Sequence, residues 1–93
     1  MPMSLVARRD ERIHVNLPVT LRVGWEGAMT IAASLVDLSE RGAQVRAAVP
    51  FRLRQDVELE IAGSGEAKAY RVVWVRGDDR RRPQVYHAGL EMQ

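Results

Sequence analysis

Apolar and polar residues alternate along most of the chain. From Ile13 to Val23 every odd position is apolar: Ile13, Val15, Leu17, Val19, Leu21 and Val23. Between them stand His14, Asn16, Pro18, Thr20 and Arg22. A period of two predicts a strand with one face in a core. Pro18 has no N–H to give to a ladder, so a free edge or a bulge is expected there. Gly24-Trp25-Glu26-Gly27 then turns the chain.

The same pattern recurs five more times. A second strand is predicted over Met29 to Asp37, with Met29, Ile31, Ala33 and Leu35 on one face. A third runs from Ala43 to Val49 and stops at Pro50. A fourth covers Asp56 to Ala62, with Val57, Leu59 and Ile61 inward. Gly63-Ser64-Gly65 turns into a fifth, Glu66 to Arg76. Its phase breaks at Val72-Val73-Trp74-Val75, which predicts a bulge or burial on both faces. A last strand spans Gln84 to Met92. Six short strands separated by turns predict an all-β fold, a small six-stranded antiparallel barrel or a sandwich. Residues 12–93 form this unit. Residues 1–11 are a flexible N-terminal arm.

Composition narrows the function without naming it. The 93 residues suit one domain, and a hydrophobic share of 46% with 28% charged residues is a globular balance. The chain has no cysteine, which excludes disulfides, thiol catalysis and zinc–thiolate sites. No apolar run is long enough to span a bilayer, and the first residues do not read as a signal peptide. The lack of cysteine suits a cytoplasmic protein. Net charge is only +2, yet Lys68 stands alone beside 13 arginines. High-GC coding produces such a bias; so does use of the planar guanidinium fork on phosphate or guanine.

Two short constellations offer chemistry. Arg8-Arg9-Asp10-Glu11-Arg12 contains Arg-x-x-x-Arg on the arm just before the first strand. The same spacing recurs at Arg76 and Arg80, and a solvated mixed-charge terminus looks alike. Asp37-Leu38-Ser39-Glu40-Arg41-Gly42 gives Asp-x-Ser-x-x-Gly between strands two and three. Asp, Ser and Gly also close hairpin turns, Gly by taking a positive φ.

Together the two motifs, in this order, make the chain resemble the PilZ domain family. Asn16-Leu17-Pro18-Val19 is similar to that family's entry into strand one. Val73-Trp74-Val75 and Tyr86-His87-Ala88-Gly89-Leu90-Glu91-Met92 are similar to its last two strands, although Met92 stands where an aromatic is more usual. The likeness covers about residues 8 to 92. It implies a six-stranded barrel that binds cyclic di-GMP, with Arg8, Arg12, Asp37, Ser39 and Gly42 as ligand residues. Arg9 and Arg41 are possible additional contacts.

The chemistry of these residues suits that ligand. Guanine O6 and N7 accept an arginine fork, which also pairs with phosphate or stacks on a base. A carboxylate such as Asp37 is a natural acceptor for guanine N1–H and N2–H₂. In extended chain Asp37 and Ser39 point to one face. Gly42 lets backbone approach a ligand. Binding is expected to pull Arg8 and Arg12 onto the barrel, and the ordered arm is the signal a downstream protein reads. In the family the residue before Arg-x-x-x-Arg influences whether one or two ligands bind; here it is Ala7, which decides neither.

The remaining features have plain readings. Arg80-Arg81-Arg82 beside Asp78-Asp79 is a charge-balanced loop. His14 and His87 are structural or surface residues, and no metal spacing exists. Trp25 is an exposed contact in a turn, Trp74 a core residue, and Tyr70 and Tyr86 are buried with satisfied hydroxyls. No nucleophile–base pair or phosphate loop suggests an enzyme, so none is expected. Few aromatics and low net charge argue against DNA or RNA. No cofactor beyond the ligand and no membrane insertion are expected, and the protein is a monomer or weak dimer. The rival function is a PilZ-like adaptor that binds no nucleotide and acts through protein contacts in motility, pilus or exopolysaccharide systems.

Overall fold

A computed structural model describes residues 12–24, 29–78 and 84–93. Six strands are present among the described residues: β1 (Ile13–Val23), β2 (Met29–Leu38), β3 (Gly42–Ala47), β4 (Asp56–Ile61), β5 (Ala67–Asp78) and β6 (Val85–Met92). Every pairing is antiparallel, and the strands close into a barrel in the order β1-β2-β3-β6-β5-β4. The predicted barrel is therefore observed, with shifted ends. β3 stops at Ala47, and Ala48 and Val49 bend away exposed before Pro50. β2 gains Leu38 and β5 runs on to Asp78. Gly63 and Gly65 both take positive φ in the β4–β5 turn. The arm residues Arg8 and Arg9, Trp25 and the loop Arg80-Arg81-Arg82 lie outside the described residues.

The core fills the closed barrel. Leu21, Leu35, Val45 and Val72 are fully buried, with Val19, Val23, Val57, Leu59, Tyr70, Ala88 and Leu90 around them. Alternation along β1 predicts one buried face from Ile13 to Val23, but Ile13 is 61% exposed and Leu17 is 39% exposed. The reason is topological. β4 pairs only with Val19–Val23, so the first half of β1 has β2 on one side and no described strand on the other. Pro18 marks that boundary. Its carbonyl accepts the Ala62 N–H at 3.1 Å, and β4 ends where the missing N–H would have been needed.

Two phase breaks decide which side chains face outward. Cross-strand partners share a face. Leu35 pairs with Val45, Asp37 with Gln44 and Leu38 with Ala43, so β2 spends an extra residue, Val36, between Leu35 and Asp37. Leu35 and Leu38 then both face the core while Asp37 faces out. Unbroken alternation would have turned the carboxylate inward. β5 does the same at Val73: Val72 pairs with Leu90, but Trp74 pairs with Gly89. Trp74 is thus on the outside and 37% exposed, not in the core as its apolar neighbours predict. Its indole lies against Gly89, where a Cβ would overlap it. The predicted break in β5 is a bulge and not two-sided burial.

Candidate functional site

The bulge in β2 and the short β2–β3 turn bring the site residues together. Asp37, the penultimate residue of β2, stands on the outer face with His14 of β1 and Gln44 of β3 as cross-strand neighbours. It is buried nonetheless, at 5% exposure. A buried carboxylate needs a partner. Arg12 supplies it from the residue just before β1, its Nη1 donating to Asp37 Oδ1 at 2.6 Å. The two residues are 25 apart in sequence, and the distance is that of a charge-assisted hydrogen bond. The Arg12 side chain remains half exposed, so much of its fork still faces solvent.

The turn beyond Asp37 is tied at both ends. The Ser39 N–H donates to the Gly42 carbonyl at 2.9 Å, and Ser39 Oγ reaches the same oxygen at 3.4 Å. Glu40 and Arg41 form an exposed two-residue tip. The Arg41 carbonyl accepts the Met92 N–H at 2.7 Å and pins this tip to the end of β6. Gly42 does not use positive φ. It is glycine because a Cβ there would run into the Leu90 backbone carbonyl. Its role in the structure is to let β3 approach β6, and the turn reading of Gly42 is corrected accordingly.

Arg12, Ser39, Arg41, Gly42, Leu90 and Glu91 line an open cleft of about 290 Å³. Four of the sequence-predicted residues therefore share one cleft, and the fifth described one, Asp37, anchors Arg12 at its edge. Glu91 is an addition that sequence reasoning missed. It faces Gly42 across the β3–β6 ladder, and only the pairing register could have revealed it. The cleft thus presents two guanidinium groups, a hydroxyl and a carboxylate: donors for phosphate or base acceptors, and an acceptor for base N–H groups. The outer row continues from Asp37 through Gln44 and Gly89 to Trp74, over which the Arg76 guanidinium sits 5.9 Å from the ring centroid.

The PilZ domain family model matches residues 7–93, which takes in every strand and the last part of the arm. The chain belongs to the PilZ domain family. PilZ domains are a cyclic di-GMP-binding family of binding and adaptor modules and not enzymes. The barrel and both motifs of this PilZ domain fall within the matched span, from Arg8 and Arg12 to Asp37, Ser39 and Gly42. No curated protein sequence matches the chain. Among the described residues of this PilZ domain no cluster of three or more His, Asp or Glu is arranged to hold a metal ion. No helix among them is long and apolar enough to cross a membrane.

Proposed function

We propose that this PilZ domain is a cyclic di-GMP receptor that holds its ligand in the cleft between Arg12, the Ser39–Gly42 turn and Glu91. The observation that carries the reading is the meeting of the two motifs: Arg12 and Asp37, distant in sequence, bond at 2.6 Å beside the turn. Asp37 fixes the guanidinium, whose free N–H groups are aimed for guanine O6 and N7 or for a phosphate. Arg41 adds a second cation at the rim. Ser39 Oγ and the Glu91 carboxylate supply acceptors for guanine N1–H and N2–H₂. Arg8, and Arg9 beside it, join from the arm when the ligand draws it down. The arm's change of order is then the event a downstream protein reads.

One observation favours the adaptor reading. Asp37 already has its cation, so the Arg12–Asp37 pair is satisfied without ligand. Calorimetric titration decides between the two. Cyclic di-GMP is expected to bind, with GTP and cyclic di-AMP binding far more weakly. Arg12→Ala and Asp37→Ala each weaken it tenfold or more, on the scale of one lost bidentate contact at about 1–3 kcal/mol. Arg76→Ala leaves binding intact. An absence of heat at about 100 µM ligand, where a useful receptor would saturate, returns the adaptor reading.

A further inference from the structure

β5 is twice as long as the strand that covers it. β4 pairs with β5 only through Ala67–Arg71. Val72 is the last covered residue: its N–H donates to the Gln55 carbonyl at 2.9 Å, and its carbonyl accepts the Arg54 N–H at 2.8 Å. Arg54 takes a φ of 68°, which turns the chain away at that point. From Val73 to Asp78, β5 is bonded to β6 on one side, and no described strand lies on the other. Natural edges of this kind are usually blunted by lysine, proline or inward charge. Here the first three residues are Val73, Trp74 and Val75, exposed at 44%, 37% and 44%.

We infer that this edge pairs with the same edge of a second copy of the chain, antiparallel about a two-fold axis at Val75. Symmetry makes the register testable by inspection. With the axis at Val75, Trp74 lies opposite the partner's Arg76 on the outer face, and Val73 lies opposite the partner's Gly77. Arg76 already rests 5.9 Å over Trp74 within one chain, so the indole–guanidinium match repeats across the axis. Shifting the axis to Arg76 sets two guanidinium groups against each other, which like charges oppose. Shifting it to Trp74 requires the partner to bond Val72, whose groups are taken by Arg54 and Gln55. The same turn limits the pairing to five residues per copy, 73–77, so the dimer is weak and concentration-dependent.

The full chain has no cysteine, which allows a positional test. Val75→Cys places two thiols on the axis, with Cα atoms about 4.5–5.5 Å apart, inside the range a disulfide spans. Under mild oxidation it is expected to cross-link into a covalent dimer, while Val49→Cys, exposed in the bend beyond β3, does not. Sedimentation velocity of the unmodified protein from about 10 µM to about 1 mM, the range of weak association, is expected to show a reversible dimer. Val75→Lys, with native circular dichroism, removes it. A monomer throughout, a dimer unchanged in Val75→Lys, or equal cross-linking at positions 49 and 75 overturns the inference. Cyclic di-GMP is absent from every arm, so the outcome is independent of the ligand reading.

Discussion

Asp37 and Gly42 show how closely the site is tied to the fold. Each looks like a ligand residue in sequence, and each has a structural duty. Gly42→Ala drives a methyl group into the Leu90 carbonyl, and backbone cannot step aside as a side chain can. The expected cost is about 1–3 kcal/mol, read as a lower urea midpoint with an unchanged slope. Tyr70 offers a second residue-scale test. Burial raises the pKa of its hydroxyl above the ordinary 10.0. The folded protein therefore keeps a proton that the unfolded chain gives up. That contribution is intact below pH 10 and is lost as pH rises through the folded value. Between about pH 8 and about pH 10.5, urea unfolding should show the wild type losing more stability than Tyr70→Phe. The grouping of the candidate residues was legible in the sequence: Arg12, Asp37, Ser39 and Gly42 all fall around one turn. Glu91 was not, because nothing local marks a glutamate that owes its place to its partner across a ladder.

Strands are where alternation succeeds and where it misleads. Six were readable from a period of two, since each buries one face in the same core. Alternation alone cannot say how far a neighbour extends. It buries Ile13 and Leu17, which β4 never reaches. Nor does it locate a bulge in β2, where Val36 looks like any other apolar residue. The chemistry of Trp74, large and apolar among valines, argued for the core, and the Val73 bulge overrode it. β3 ends two residues early for a similar reason: β6, its neighbour, begins at Val85, one residue beyond Tyr86, the partner of Ala47. The bonds that hold the Ser39–Gly42 turn to Met92 predict slow amide exchange there relative to the Gly63–Gly65 turn, measured by hydrogen exchange at neutral pH.

At the scale of the molecule, charge is distributed rather than abundant. A net charge of +2 gives little long-range pull on an anion, so on the proposed reading attraction comes from Arg12 and Arg41 at the cleft. Two other arginines pair with carboxylates: Arg22 with Glu60 at 3.2 Å and Arg71 with Asp56 at 3.1 Å. These pairs are exposed, and each contributes little to stability. Cyclic di-GMP affinity should therefore fall with added salt, and Arg41→Ala should flatten that dependence while lowering affinity. Titrations at two ionic strengths check both.

The extra residue in β2 also makes the barrel and the site separable by a change that no point substitution can imitate. Relative to β3, Val36 is surplus; relative to β1, it helps set which residue of the entering chain stands beside Asp37. A chain lacking Val36 would keep Leu35 and Leu38 inward and Asp37 outward, and its β2–β3 ladder would become regular. The cost would fall on β1, where Asn16 and not His14 would stand opposite Asp37, carrying Arg12 about two residues, or roughly 7 Å, out of reach. Loss of one codon would leave a cooperative barrel with the arm out of frame. In such a deletion series, thermal unfolding and ligand titration should part company at this position: native-like melting and no cyclic di-GMP binding.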